Sequence, residues 1–425
     1  MPGPSPVMSV DLVEVIPRLD ELSIKYKGPF RLLAVYKLAV FISDADNAKL
    51  ILGSRDCLNK PDMFYKILRD GIGVDGIATL EATKWKLHRR LVRPAMNLSS
   101  VTQHMEIFNR CIRDSILSLS MENDIFDVLP YLNLCMLTMF LEASIGSELD
   151  PEMKQQYLEN FRDGTQMMID RLMQPIMYLD SVLQNIREST GDGYTGISFV
   201  EKLYTTSKEN VNFTSDDIYA ETVTILSGAT ETMSTGVAFV IIMLALHPEC
   251  QEKVYQEIVN VMPDTKMDLT QNDLDKLVFT ELCIRETLRL FPTIPFIARI
   301  SKKPMTLTNG IVVPADTPFV VGLRQISRRK EYFGPTAHQF DPQRFSDECI
   351  KKLPATATIP FSFGPRNCVG MFYAQVGLKL YVAHLVRNYR ITTSYKNIDE
   401  LRPLFNVGLR LADKHMVKLE QRSIY

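Results

Sequence analysis

One long apolar segment constrains the fold of this chain more than any other feature. It begins near Thr214, where Thr214 or Ser215 can cap the free N–H groups of a helix and the two aspartates that follow suit its positive end. It ends at His247, because Pro248 cannot continue a helix. About 30 residues at about 1.5 Å each give a helix of roughly 45 Å. Since this helix is apolar on nearly all sides, we predict that it is buried in the core.

The rest of the chain predicts more helices and a few short strands. Helical periodicity dominates from residue 44 to about Arg390. Residues 28–43 instead predict a short β-hairpin, and the stretches YRITTSY and MVKLEQR near the C-terminus return to strand-like alternation. We therefore predict a mainly α fold with small β-sheets (α+β). No linker, charge block or repeat divides the sequence, so we expect one domain over residues 1–425.

Composition excludes several classes of protein. A formal net charge of −2 and a sequence pI near 6.4 argue against binding of nucleic acid. The seven cysteines are odd in number and scattered without a CxxC pair, which excludes a disulfide framework or a zinc ribbon and suits a reducing compartment. The longest purely apolar run, residues 237–246, is about half of what a bilayer-spanning helix needs. We therefore predict neither a signal peptide nor a transmembrane span.

The middle of the long helix breaks its apolar character. Residues 227–236, SGATETMSTG, are small and polar, and Glu231 and Thr232 are neighbours there. On the residues alone, two interpretations stay open. In the first, Thr232 bonds back to the carbonyl of Gly228 and bends the helix, while Glu231 finds a neutral partner. In the second, the acid and the alcohol have a chemical use.

The stretch PFSFGPRNCVG, residues 360–370, places Cys368 between two glycines and before a long apolar-periodic segment. A lone cysteine is usually a small buried hydrophobic residue. Here a helix N-terminus and the nearby Arg366 would both lower the pKa of the thiol and favour the thiolate. Gly364 and Gly370 permit tight backbone geometry and the close approach of something large and flat.

The spacing F-x-x-G-x-R-x-C-x-G in this stretch resembles the haem-thiolate loop of the cytochrome P-450 superfamily. It is met by Phe361, Gly364, Arg366, Cys368 and Gly370. Other segments resemble further motifs of the family and occur in the same order. They are KWKLHRR with Trp85 and Arg89, SGATETM with Gly228, Glu231 and Thr232, ETLR with Glu286 and Arg289, PFIAR with Arg299, and FDPQRF with Arg344.

The resemblance implies the cytochrome P-450 fold, haem b (iron protoporphyrin IX) as cofactor, and Cys368 as the proximal ligand of its iron. It implies that Trp85, Arg89 and Arg299 reach the haem propionates. Behind the cysteine loop it implies a buried ion network made by Glu286, Arg289 and Arg344. In the oxygen-binding stretch, Glu231 and Thr232 would relay protons beside Gly228, although Ala229 replaces a glycine there and Met233 replaces a second hydroxyl residue.

Within the superfamily, the sequence resembles insect-type members of the microsomal family 4 clan. The resemblance implies a monooxygenase that inserts one atom of O2 into a lipophilic substrate, a fatty acid, hormone or xenobiotic. Electrons would come from NADPH-cytochrome P-450 reductase, with cytochrome b5 as a further donor, and the reductase could meet basic residues such as Lys86 and Arg90. The predicted location is the cytosolic face of the endoplasmic reticulum membrane. Two alternatives remain: a haem-thiolate isomerase or dehydratase that needs no O2, which the retained Glu231-Thr232 pair disfavours, and an inactive shortened haem-binding form.

Two departures from the family pattern lead to further predictions. Several dozen residues expected for the F–G loop and the G helix are absent between Asp180 and Ser198, and no N-terminal anchor is seen, so we predict weak substrate binding and peripheral attachment to the membrane surface. Glu221 lies ten residues before Glu231 on the same helix. Many family 4 members carry a glutamate in this region that links covalently to a haem methyl, so one prediction is an ester between Glu221 and the haem edge. The alternative is a solvated helix residue favoured by the N-terminal dipole.

Overall fold

The computed structural model describes residues 1–3, 13–34, 37–145, 198–208, 210, 212–406 and 408–422, and this part of the chain is mainly helical. The α-helices are α1 Val15–Tyr26, α2 Ala45–Gly53, α3 Asp62–Ile72, α4 Ala82–Val92, α5 Leu98–Thr102, α6 Met105–Leu119, α7 Leu129–Ile145, α8 Phe199–Lys208, α9 Ser215–Leu246, α10 Pro248–Val261, α11 Gln271–Lys276, α12 Val278–Leu290, α13 Leu323–Ser327, α14 Lys330–Phe333, α15 Asp347–Ile350 and α16 Met371–Asn388. The strands are β1 Phe30–Ala34, β2 Lys37–Ile42, β3 Phe126–Asp127, β4 Phe296–Ile300, β5 Met305–Thr306, β6 Val312–Val313, β7 Pro318–Gly322, β8 Tyr389–Thr393, β9 Pro403–Asn406, β10 Gly408–Leu411 and β11 Met416–Gln421.

The long helix predicted from the sequence is α9, and its ends are where the caps place them. The Thr214 hydroxyl accepts from the N–H of Asp217 (3.2 Å), while the Asp217 carboxylate accepts from the N–H of Thr214 (2.9 Å), which completes a capping box. The helix stops at Leu246, before Pro248. By length and composition α9 could cross a membrane, but 78% of its most apolar window is buried inside the fold. It is therefore the core helix that the sequence predicts.

Other helices surround α9. It packs against α7, α12 and α16, and its Phe239 ring stacks on Phe291 at 4.6 Å and 11° between the planes. Leu226, Val237 and Leu244, at well-separated positions along α9, have no exposed surface. The apolar character on all sides of the helix thus follows from neighbours on all sides.

Both ends of the chain contribute strands, as predicted. The hairpin of β1 and β2 joins a four-stranded sheet of order β1-β2-β7-β4, in which β2 pairs with β7 in parallel and the other neighbours are antiparallel. Near the C-terminus, β11 pairs with β3 and β8 in a three-stranded antiparallel sheet. Two further pairs, β9 with β10 and β5 with β6, are antiparallel hairpins.

The predicted ion network is present behind the cysteine loop. Arg289 makes a bidentate contact with Glu286 (2.6 and 2.7 Å), both side chains are fully buried, and Arg344 Nε lies 3.4 Å from the same carboxylate. Burial raises the pKa of Glu286, and Arg289 offsets this only in part. A buried pair of this kind is weak evidence for stability, so its contribution here is to fix where α12 meets the loop at residues 337–344.

The predicted shortening between Asp180 and Ser198 and its consequence for substrate binding lie outside the described residues, apart from Ser198 itself.

Candidate active site

A cavity of about 450 Å³ separates the middle of α9 from the loop that precedes α16. It brings together residues that the sequence analysis selected from four separate segments. They are Trp85, Arg89, Gly228, Glu231, Thr232, Arg299, Phe361, Arg366, Cys368 and Gly370. Gly364 and Glu221 are not among the residues that line it.

The loop that carries Cys368 is fixed by its own backbone. The Cys368 N–H donates to the carbonyl of Phe361 (2.9 Å), and the Asn367 N–H donates to that of Gly364 (3.1 Å). Gly364 has φ +76°, and a Cβ at this position would lie 2.1 Å from the carbonyl oxygen of Leu52. Only glycine fits there, for conformational and for steric reasons.

Gly370 has no such requirement, which corrects the expectation that both glycines serve tight backbone geometry. Its φ is −88°, and a Cβ would make ordinary contacts of 3.6 Å with Met96 and 3.9 Å with Cys368 Sγ. It is the N-cap residue of α16, so the thiol lies next to the first turn of that helix.

The Cys368 side chain is accessible from the cavity, which it lines. Protein atoms nevertheless surround the thiol closely enough to limit its contact with bulk water. Burial raises its pKa, and the N–H of Gly370 with the charges of Arg89 and Lys60 acts in the opposite direction. The sequence analysis expected a lowered pKa, with Arg366 as a cause. The Arg366 guanidinium instead donates to the carbonyls of Leu58 (2.9 Å) and Leu80 and does not act on the thiol. Without a bound ligand, burial therefore favours the neutral thiol over the thiolate.

One wall of the cavity carries the four cations Lys60, Arg89, Arg299 and Arg366. Burial lowers the pKa of each of them, to about 9 for Arg366, and repulsion by Arg299 adds to the effect on Lys60 and Arg366. Their hydrogen bonds go largely to carbonyl oxygens, and the buried Nε of Arg299 has no hydrogen-bond partner in the described chain. A wall with this excess of buried positive charge fits a ligand that carries carboxylates, as the two haem propionates do.

Trp85 completes this wall. It is buried on α4, one turn before Arg89, and the Arg366 guanidinium lies over its ring at 4.2 Å from the centroid. Arg89 donates to the Asn367 carbonyl at 2.9 Å, which links α4 to the cysteine loop. The W-x-x-x-R spacing thus places an aromatic face and a cation on the cavity side of one helix.

The opposite wall is the polar stretch of α9. Thr232 Oγ1 donates to the carbonyl of Gly228 (2.7 Å), as the first interpretation predicted, and both residues face the cavity. A Cβ on Gly228 would meet nothing within 4 Å, so the groove is open at this position. Ala229 and Met233, the two departures from the family pattern, also line the cavity.

Glu231 has a charged partner, which corrects the neutral one that the first interpretation assigned to it. Arg410 in β10 contacts the carboxylate with both Nε (2.8 Å) and Nη2 (2.5 Å). Sequence reasoning missed Arg410, and it missed Lys60 in the cationic wall. Alternation in the strand GLRL places Arg410 on the face opposite its leucine neighbours, but nothing in the sequence indicates which acid it meets.

Glu221 is fully buried on α9 and does not line the cavity. Its Oε1 contacts His88 Nδ1 at 2.6 Å and its Oε2 accepts from the N–H of Ile77 at 3.0 Å. Neither of the two roles that the sequence suggested fits this position. A solvated residue would be exposed, and an ester to the haem edge needs a carboxylate oxygen at the cavity wall.

A thiol and a cationic wall face a hydroxyl and a carboxylate across this cavity, and this is the arrangement that the resemblance to haem-thiolate proteins predicts. Comparison with known families agrees. The family model described as Cytochrome P450 matches residues 13–200 and 170–418. The chain belongs to the cytochrome P450 family, whose members bind haem b and act as oxidoreductases of the monooxygenase type.

Curated relatives from Drosophila melanogaster carry the same family name. "Probable cytochrome P450 313a4" is 26% identical over 427 residues, covering 90% of this chain and 84% of that protein. "Cytochrome P450 4d2" is 26% identical over 479 residues, covering 100% of this chain and 94% of that protein. "Probable cytochrome P450 4aa1" is 25% identical over 415 residues, covering 90% of this chain and 80% of that protein. These likenesses extend over nearly the whole chain.

Proposed function

We propose that this monooxygenase inserts one atom of O2 into a small lipophilic substrate of the fatty acid, hormone or xenobiotic class, with electrons that NADPH-cytochrome P-450 reductase delivers from NADPH. The observation that carries the proposal is the composition of the cavity. Between the thiol and the polar stretch of α9, it is lined largely by apolar side chains: Leu68, Ile72, Ile77, Ile225, Ile294, Ile297 and Leu323. Such a lining suits an uncharged substrate surface and excludes water from the reacting atoms.

Haem, when bound, supplies the electron transfer and oxygen activation. The chain supplies ligand, charge and position. Cys368 Sγ is the proposed iron ligand, and the Gly370 N–H with Arg89 and Lys60 would stabilise negative charge on the sulfur. Trp85, Arg89, Arg299 and Arg366 would hold the propionates.

Thr232 is the residue that we propose to position the final proton donor next to the oxygen that reacts. Its hydroxyl faces the cavity and is oriented by the carbonyl of Gly228. Glu231 would exchange protons with water behind it, and its bidentate contact with Arg410 keeps both carboxylate oxygens in place. In this proposal Thr232 contacts the reacting groups directly, and Glu231 supplies protons to it through water.

The exposed face of α4 suits an electron-transfer partner. Lys86 and Arg90 are exposed there, on the helix whose Trp85 and Arg89 face the cavity. An acidic reductase or cytochrome b5 meeting these cations would lie close to the haem edge. We place the protein at the cytosolic surface of the endoplasmic reticulum membrane, as the resemblance to microsomal members suggests.

Turnover under ¹⁸O2 tests the proposal. The purified holoprotein, reductase and NADPH are incubated with a panel of fatty acids, terpenoid hormones and lipophilic xenobiotics, and products are analysed by mass spectrometry. We expect at least one product that carries a single ¹⁸O and depends on NADPH. Cys368→Ala is the control, and it should lose both the product and the red-shifted Soret band of the reduced carbon monoxide complex.

Other outcomes select the alternatives. A product that forms without NADPH and without ¹⁸O would favour an isomerase or dehydratase. A thiolate-type spectrum with no product from any substrate would favour the inactive haem-binding form.

A further inference from the structure

Glu221 is a fully buried titratable group to which the proposed chemistry gives no role. A glutamate carboxylate with no exposed surface is costly to bury unless its partners compensate. Both oxygens of Glu221 are engaged, Oε1 with His88 and Oε2 with the backbone of Ile77. The two partners belong to different segments, so the carboxylate joins α9 to α4 and to the turn at residues 76–80.

The turn at residues 76–80 provides the acceptors of the cationic wall. The Leu80 carbonyl accepts from Arg366 Nη2 (2.6 Å), that of Ile77 accepts from Nη1 (3.4 Å), and that of Ala78 accepts from Lys60. Any shift of the turn would therefore move both cations. Its only side-chain tie to α9 among the described hydrogen bonds is the one between Ile77 and Glu221.

Packing brings this turn directly onto α9. A Cβ at Gly76 would lie 2.1 Å from Thr224 Oγ1 and 2.9 Å from the carbonyl oxygen of Ala220. The turn can approach the helix this closely only because residue 76 is glycine. This close approach brings the N–H of Ile77 within hydrogen-bond distance of the Glu221 carboxylate.

His88 carries the constraint to α4. Its ring is fully buried, with Nδ1 against Glu221 and Nε2 at 3.6 Å from Asp217 Oδ1. It also makes an edge-to-face contact with Phe213 (centroids 5.0 Å apart, 83° between planes). His88 directly precedes Arg89 and follows Trp85 by three residues. Fixing the His88 ring therefore fixes the rotation of α4, and with it the direction in which Trp85 and Arg89 face the cavity.

From these contacts we propose that Glu221 is a positioning residue for haem: through His88 and Ile77 it holds Trp85, Arg89, Arg366 and Lys60 where the propionates bind. It acts from outside the cavity and forms no bond to the cofactor. The role rests on haem binding by the family and not on the substrate class proposed above, so it stands if the substrate panel gives no product.

The test compares Glu221→Gln with Glu142→Gln. Glu142 lies on α7, is as fully buried as Glu221 and is paired with Arg110 of α6. It does not line the cavity. Haem transfer from the ferric holoprotein to excess apomyoglobin is followed by absorbance, and the propionate bending bands are recorded by resonance Raman. An amide keeps the size of Glu221 but cannot accept from both partners as a carboxylate does.

For Glu221→Gln we expect haem transfer to accelerate by about tenfold or more and the propionate bands to shift, because charge-assisted hydrogen bonds are lost. The thiolate-type carbon monoxide spectrum should persist, since the loop of Cys368 keeps its own hydrogen bonds. His88→Gln, which retains a donor, should fall between wild type and His88→Ala. The double variant Glu221→Gln/His88→Ala should transfer haem no faster than the faster of the two single variants, because the two residues act as one unit.

Two results would overturn the proposal. One is wild-type haem transfer and unmoved propionate bands in Glu221→Gln. The other is an equal acceleration in Glu142→Gln, which would make the effect a general loss of stability. Haem that stays attached to turned-over wild-type protein in acidified organic solvent, but leaves Glu221→Gln, would favour the ester instead.

Discussion

At the scale of single residues, the two glycines that flank Cys368 differ in what they tolerate. Gly364→Ala should prevent haem incorporation, because the new Cβ would need both an unfavourable positive φ and a 2.1 Å approach to the Leu52 carbonyl. Gly370→Ala is the matched control and should retain haem, since its Cβ contacts are ordinary. The haem-to-protein ratio of the purified variants decides. Equal loss in both would contradict this description of the loop.

Thr232 permits a second residue-level prediction. Thr232→Ala should lower the yield of product per NADPH by about tenfold or more and release the electrons as peroxide, because general acid–base groups contribute about 10²–10⁴-fold. Thr230→Ala is the control. That hydroxyl makes the same bond to the carbonyl four residues earlier (2.9 Å) but does not line the cavity. Unchanged coupling in Thr232→Ala, measured as product and peroxide per NADPH, would remove Thr232 from proton delivery.

At the scale of elements, the contact between Glu231 and Arg410 joins β10 to the middle of α9. Arg410→Gln would leave a nearly buried carboxylate without its cation, so we expect the free energy of unfolding in urea to fall by about 2–4 kcal/mol. Adding Glu231→Gln should restore part of this loss, since the unpaired charge is then gone.

The exposed pair Arg402 and Asp413, at the ends of the same hairpin, is the reference for that measurement. Arg402→Gln should leave the free energy of unfolding almost unchanged, because water screens an exposed pair. A loss as small in Arg410→Gln would show that β10 and α9 are held by other contacts.

The features that could be predicted from the sequence are the local ones, and the contacts between distant residues could not be predicted. The ends of α9, the hairpin of β1 and β2 and the W-x-x-x-R helix depend on caps, turns and periodicity within a few residues, so local patterns sufficed. The partners of Glu231 and Glu221 did not follow, because Arg410 and His88 are far away in the chain and no spacing rule connects them. The pKa of Cys368 was misjudged for a related reason. Arg366 is close in sequence, but its guanidinium points to Leu58 and Leu80.

At the scale of the whole molecule, two buried histidines should set its resistance to acid. Burial lowers the pKa of His415 to about 3 and that of His384 to about 4, with Arg410 and Arg113 adding repulsion. In the unfolded chain these histidines take up protons below their ordinary pKa of about 6.5. In the folded chain they take up protons only at a lower pH, because their pKa is lowered. The stability is thus complete above about pH 6.5 and falls as the pH drops toward 4 and then 3.

His415→Phe should therefore shift the acid-unfolding midpoint to lower pH. Both ring nitrogens of His415 lack a hydrogen-bond partner in the described chain, so the substitution removes a titrating group without removing a bond, and a phenyl ring can keep the contact with Phe239. His338→Gln, at an exposed position, should leave the midpoint unchanged. Circular dichroism between pH 7 and pH 3 provides the measurement. An unchanged midpoint in His415→Phe would mean that other groups govern the acid transition.

The parallel pairing of β2 with β7 has a consequence for how the chain is made. Val40 lies opposite Phe319, so the strand formed by residues 37–42 leaves the ribosome long before its partner exists. At about 5–20 residues per second, the roughly 280 intervening residues take about 14 s to a minute to synthesise. During that interval one edge of the hairpin is unpaired, and it is open to pairing with other chains. We therefore expect the N-terminal hairpin to be the part of the nascent chain most open to mispairing until translation is nearly complete.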